Sequence, residues 1–213
     1  MSIHVNSTGS KYFRIDSAPA ANAPLSFAAW VQFTNLSVDR YVLELSGTYS
    51  HCHRIQYIQA TNVLALRTRA GGSSMGVDGS APSTGVWIHV AGVFASTTSR
   101  TFYINGASQG TSTTSGNPTL TRFTPGQRTD GGLPTGYSML DGYLADVAVW
   151  TEALSAAQVA SLASGASPLI VEPASLWSFG ALLAAPAVAA VGPAYTLNNS
   201  PVAGPSHPAL YPT

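Results

Sequence analysis

The side chains able to do chemistry are few and scattered, and His51-Cys52-His53 is their densest cluster. In an extended segment the two histidines, at i and i+2, share one face and could offer two imidazoles to a metal. A closed zinc site needs about four ligands. The remainder would have to come from a neighbouring chain, or the histidines are ordinary polar rim residues. A second reading groups Tyr49, His51, His53 and Tyr57, joined by Tyr137, as a polar aromatic surface suited to stacking on sugars or meeting a partner protein.

The acids argue against catalysis. Glycoside hydrolysis needs two carboxylates flanking the scissile bond, yet Glu44, Glu152 and Glu172 are the only glutamates and stand far apart. No GxSxG elbow supports a nucleophilic serine. No catalytic residue is therefore expected. Asp78, Asn117, Asp130 and Asp141 lie in or beside expected loops, without the DxDxDG-like run that would concentrate oxygen ligands for calcium. Trp30, Trp87, Trp150 and Trp177 each fall inside an expected strand, where an aromatic fills a core more often than it forms a sugar platform. Arg67 and Arg69 alternate along one strand face, either solubilising it or meeting an acidic partner.

Strands must position these groups. Pro24 to Phe33, Tyr41 to Leu45, Arg54 to Ile58, Val63 to Arg69, Gly85 to Phe94 and Arg100 to Ile104 have the length, β-branching and turn-rich flanks of strands. Asn105-Gly106 predicts a type I′ hairpin into Ala107 to Thr111, because both turn positions need tolerance of positive φ. In Gly142 to Trp150, strict alternation puts Leu144, Asp146, Ala148 and Trp150 on one face and Tyr143, Ala145, Val147 and Val149 on the other. Both faces are largely apolar, so the strand is interior. Ser155 then caps a helix of about three turns, Gln158 completes a capping box, Val159 staples back onto Leu154, and Gly165 ends it. Thr111 to Thr119 and Thr124 to Tyr137 read as polar rim loops, while Leu169 to Val171, Leu176 to Phe179 and Ala194 to Leu197 read as returning strands. The pattern is all-β, two packed antiparallel sheets.

The stretch from Leu140 to Pro168, with Pro24 to Phe33, Gly85 to Phe94 and Arg100 to Gly106, resembles laminin G-like, pentraxin-like domains of the concanavalin A-like superfamily. Its GxLAxVAVW strand, LS helix, GxSPL turn and HPxxYP ending are most similar to a subgroup found in bacteriophage and bacterial proteins. The resemblance implies a concanavalin A-like jelly-roll sandwich over residues 1–197 with one short helix near 155–164, followed by a Pro-rich segment, 198–213, that packs on the domain or on a neighbour. It names calcium as the ion to expect if one is bound, with Asp130 and Asp141 as first-choice ligands. Lys11 beside Tyr12 departs from the acidic residue common there. The ExDxxE pattern of the related glucanases is missing.

Composition narrows the function further. Nine basic and nine acidic residues balance, and charged residues make up 8% of the chain, so no electrostatic footprint for nucleic acid or anionic membrane exists. The N-terminus lacks the apolar core of a secretory signal, no 18-residue apolar run predicts membrane insertion, and one cysteine allows no intrachain disulfide. The expectation is a non-catalytic structural or binding module on a bacteriophage virion surface. It would work as a capsid decoration, head fibre or tail-associated protein, docked on virion proteins as a homo-oligomer and meeting host-surface glycans. The alternatives are a calcium-dependent lectin module of a bacterium and a glycoside hydrolase.

Overall fold

The computed structural model describes residues 2–5, 12–48, 50–128, 139–171, 175–177, 196–198 and 203–204. Its first half runs through Ser2–Val5 (β1), Tyr12–Arg14 (β2), Leu25–Phe33 (β3), Arg40–Thr48 (β4), His51–Ile58 (β5), Val63–Ala70 (β6) and Ser73–Asp78 (β7). Then follow Trp87–Ser96 (β8), Ser99–Ile104 (β9), Ala107–Ser112 (β10), Arg122–Pro125 (β11) and Gly142–Trp150 (β12). The helix Ala156–Ala163 (α1) precedes Ser175–Trp177 (β13), Thr196–Asn198 (β14) and Ala203–Gly204 (β15).

An eight-stranded sheet in the order β10-β9-β8-β3-β12-β1-β15, with β13 also on β12, packs against a five-stranded sheet ordered β11-β4-β5-β6-β7. Every named strand pairing is antiparallel. The all-β two-sheet architecture read from the sequence is the observed one. Alternation explains the core: Phe27, Val31 and Phe33 of β3 meet Leu43, Leu45, Ile55, Leu64 and Leu66 between the sheets. Gly92 leaves room there, since a Cβ at that position would lie 2.7 Å from Leu66.

The opposite face of the larger sheet carries a second apolar cluster of Ala28, Ala91, Val93, Tyr103, Ala148 and Trp150, closed by Leu154, Val159 and Leu162 at α1. The helix starts as its capping box predicts: Gln158 N–H donates to Ser155 Oγ at 3.2 Å and Ser155 N–H to Gln158 Oε1 at 2.7 Å. Buried Ser26 then ties the helix entry to β3, accepting from Leu154 N–H at 3.0 Å and donating to the Glu152 carbonyl at 2.8 Å. The Asn105-Gly106 turn has φ of 50° and 78°, as type I′ requires. It also abuts α1, because a Cβ on Gly106 would lie 3.1 Å from Ala160 Cα.

Three expectations change. Strict alternation in β12 fails at a bulge between Ala145 and Ala148, where Asp146 takes φ 48°. The extra residue shifts the phase, so Leu144, Val147 and Val149 all enter the inter-sheet core while Ala148 and Trp150 face the helix. Leu169 to Val171 is no strand; Pro168–Val171 is a 3-10 turn, consistent with proline fixing φ and lacking a donor at its start. The loops are also shorter than expected, since β10 reaches Ser112 and β11 runs through Pro125. Within the Pro-rich ending, β15 pairs with β1 through Ser2–Gly204 and Ile3–Ala203, so part of it lies along its own fold. Residues 205–213 of that ending fall outside the described residues.

Candidate functional site

The outer face of the five-stranded sheet is the polar counterpart of that helix-covered surface. Register builds it from five strands whose other faces feed the core. One row runs Arg122–Ser46–Cys52–Arg69–Ser74, and the next runs Thr124–Glu44–Arg54–Arg67–Gly76. A third joins Tyr41, Gln56, Ala65 and Asp78. Four arginines therefore share two adjacent rows.

Its floor is deeply buried: Glu44, Cys52 and Ser46 are 1% exposed, and Arg54 and Gln56 6%. Arg54 Nη1 stands 3.6 Å from Glu44 Oε2, an ion pair slightly longer than a hydrogen bond. The Arg54 guanidinium also lies over the Tyr41 ring at 5.0 Å, and Arg128 approaches the same ring at 5.6 Å. Burial pushes the Tyr41 hydroxyl up from its ordinary pKa, with Arg54 and Arg128 opposing that shift. Burial likewise raises the Cys52 thiol to about 12, so it stays protonated and neutral despite two flanking arginines. Arg67 pairs with the exposed Asp78, while Arg69 and Arg122 are half-buried at the rim. Arg54 Nε and Nη1, Gln56 Oε1 and Arg122 Nε are buried without a hydrogen-bond partner among the described residues.

Of the residues expected to form a polar aromatic surface, His53 and Tyr57 turn inward instead. His53 and Tyr57 share the inner face with Ile55 and are buried: His53 stacks on Phe94 at 4.0 Å and hydrogen-bonds Thr68 Oγ1 at 2.8 Å, while Tyr57 meets Phe33. Desolvation lowers the His53 pKa to about 3, so the ring is neutral. His51, half-buried, accepts from Thr119 N–H at 3.4 Å. Tyr49 and Tyr137 lie outside the described residues. Neither histidine is in a metal-like cluster, and no group of three or more His, Cys, Asp or Glu could hold a metal among the described residues. Of the two expected calcium ligands, Asp130 is outside the described residues, and Asp141 faces the Arg40 guanidinium at 3.7 Å and accepts from Thr34 Oγ1 at 3.2 Å. A cation there would compete with arginine. Trp30 and Trp150 are buried as expected, Trp87 is half-buried, and Trp177 carries no described side chain.

A second cluster lies under α1. Trp30, His89, Asp146 and Trp150, with Leu162, Ala166 and Pro168, line a cavity of about 10 Å³. His89 Nδ1 and Trp150 Nε1 have no hydrogen-bond partner among the described residues, and burial lowers the His89 pKa to about 3. The space suits about one water, which could accept from the indole N–H. This is a packing site, too small for a sugar.

Sequence reasoning singled out Arg67 and Arg69 but missed Arg54 and Arg122, which reach the same face only through long-range register. The missed signal was local: Arg54 and Gln56 alternate with Ile55, marking the outer side of β5.

No curated protein sequence matches the chain. Among solved structures it resembles a heptameric SAP-like pentraxin from Limulus polyphemus, at 18% identity and TM-score 0.70 over 97% of this chain and 95% of that one. It also resembles the sialidase CBM40 of Ruminococcus gnavus bound to α2,3-sialyllactose, at 15% identity and TM-score 0.62 over 76% and 96% of the two chains. Mouse laminin α1 domains LG4-5 align at 11% identity and TM-score 0.56 over 74% of this chain and 43% of that one. These likenesses concern the fold. Residues 7–160 match the Laminin_G_3 family, and the chain belongs to that family of the concanavalin A-like lectin/glucanases superfamily.

Proposed function

We propose that the chain is a non-catalytic carbohydrate-binding module that receives its glycan on the outer face of the five-stranded sheet. The supporting observation is the polar floor and arginine rim of that face, set opposite a face its own helix has closed. Guanidinium and amide groups in a fixed plane suit bidentate hydrogen bonding to ring substituents. Among the described residues, the two carboxylates on the face are engaged by arginine, Glu44 by Arg54 and Asp78 by Arg67, and provide no free acid and base across a bond. The solved relative bound to sialyllactose gives the fold a precedent for sugar recognition.

We further propose that the module acts on a bacteriophage particle, docked on capsid or tail proteins as repeated copies. The support is the resemblance of Gly142 to Trp150 and the following helix to a subgroup found in bacteriophage and bacterial proteins. Repetition would turn weak single sites into avid attachment.

The test is an array of immobilised glycans probed with the labelled full chain and with Ser74→Trp, since Ser74 is exposed at the edge of the Arg69 row. Saturable binding lost in Ser74→Trp, unaffected by EDTA and without new reducing ends, supports direct recognition by this face. Binding that needs calcium favours the lectin alternative, and bond cleavage favours the hydrolase. No binding, or binding indifferent to Ser74→Trp, overturns the proposal. Mass spectrometry of purified particles tests the location: stoichiometric presence supports virion display and absence overturns it.

A further inference from the structure

We propose that β7 is a dimerisation edge, pairing antiparallel with β7 of a second copy about Gly76 and joining two five-stranded sheets into one. β7 ends its sheet and, among the described residues, pairs only with β6, in an unbroken register from Ala65–Asp78 to Ala70–Ser73. The ladder fixes which of its groups are left over. Leu64 of β6 bonds towards that side, donating to the Ser80 carbonyl at 3.1 Å and accepting from Gly79 N–H at 2.7 Å. Every second residue of an antiparallel strand bonds the same way, so Leu66, Thr68 and Ala70 take Val77, Met75 and Ser73 as hydrogen-bonded partners. The N–H and C=O groups of Ser74, Gly76 and Asp78 therefore point away from the sheet. Among the described residues nothing bonds to them, and Ser74 and Asp78 are exposed.

Other sheet edges carry devices that discourage such pairing. β10 loses its regularity at a bulge between Ser108 and Gly110, β11 is four residues long and ends in Pro125, and β15 is two residues long. β7 has six residues with no bulge, proline or cation. Its register against a second copy is set by its two faces, because a one-residue slip would exchange them. Ser74, Gly76 and Asp78 share the outer face with Arg69 and Arg67, whereas Val77 packs inward against the core. A two-fold axis through Gly76 keeps both faces in phase and engages all three outward residues of each strand. It sets Ser74 opposite the second copy's Asp78, so that each acid meets a serine and not another acid. Gly76 meets its own counterpart with no side chain between them, and the half-buried Met75 lies opposite the second copy's half-buried Val77. This match of the edge to itself is what selects a second copy of the chain as the occupant.

The experiment follows the full chain by sedimentation equilibrium and by backbone hydrogen exchange across a range of concentrations. The expected result is a concentration-dependent mass of twice the 22.0 kDa chain, with the amides of Ser74, Gly76 and Asp78 gaining protection as the dimer forms. Ser74→Glu sets a like charge against the second copy's Asp78, twice per dimer, and should weaken association about tenfold or more. Adding Asp78→Lys to the same chain turns both clashes into ion pairs and should restore association, a recovery specific to this register. Ser74→Pro removes an outward donor without taking a bond from β6 and should also leave a monomer. Thermal melts confirm that each variant is folded. A monomer at every concentration overturns the proposal, and so does a dimer whose β7 amides exchange as fast as the monomer's. A dimer that Ser74→Glu and Ser74→Pro leave intact overturns it as well. None of these readouts involves a sugar, so the glycan-binding reading stands or falls on its own test.

Discussion

The sandwich has two outer faces, and they solve opposite problems. On the eight-stranded sheet, small and aromatic side chains from β3, β8, β9 and β12 make an apolar floor that α1 seals. On the five-stranded sheet the same inside-outside alternation delivers arginine, glutamate, glutamine and a neutral thiol. Both sheets share one inter-sheet core, so the difference is not one of fold. It shows that a strand's second face is free to vary once its first is committed. Here one such face holds the chain together, and the other is organised around charges that burial makes expensive.

The largest expected effect falls on the sealed face. Trp150 is 1% exposed and roofed by α1, so Trp150→Ala should cost about 3–5 kcal/mol by urea unfolding. A loss well under that range would mean the helix seals little. On the charged face, Glu44→Gln leaves Arg54 buried without its counter-ion and should cost about 3 kcal/mol. The double variant Glu44→Leu with Arg54→Met should recover most of that stability while abolishing ligand binding. If the double variant stays destabilised, the pair is structural and the contrast between the faces weakens.

Acidity probes the interior that the faces share. His53 in the inter-sheet core and His89 under the helix both have folded-state pKa values near 3, below the ordinary 6.5, with burial as the first cause of each. The native state binds fewer protons than the unfolded chain between those values, so stability is complete above pH 6.5 and falls as pH drops towards 3. The two together should remove up to about 2.7 kcal/mol per pH unit below 6.5, read from urea midpoints across that window. His53→Gln should halve the slope. The smallest effect is at the helix start, where Ser155→Ala removes a cap and should cost about 1 kcal/mol, lowering the melting temperature without touching ligand affinity.

Legibility followed the range of the interactions. The Ser155–Gln158 capping box and the Asn105-Gly106 turn are local, and both could be read from a few adjacent residues. Strand β7 was missed because Ser73, Ser74 and Gly76 dilute its signal, leaving only Met75 and Val77 in alternation. The i, i+2 spacing of His51 and His53 correctly put them on one side of β5. It could not say that Ile55 and Tyr57 would take that side inward. The arginine face was the least legible part, because Arg54 meets Arg67 and Ser46 meets Arg122 only after strands from distant positions adopt one register. A single residue of slip would have turned the whole set into the core.

The bulge at Asp146 gives β12 an unusual tolerance profile. The strand serves two interiors by advancing its alternation one step midway, with Leu144 before the step and Val147, Val149 and Trp150 after it. Exchanging Asp146 for glycine or asparagine, residues at ease with positive φ, keeps that step and should be mild. Deleting one residue there removes the step itself: the indole of Trp150 would swing into a filled core while two valines turned towards the helix. In this strand the number of residues carries more information than their identity at the bulge, and lineages of this protein should record substitutions at position 146 far more readily than gaps.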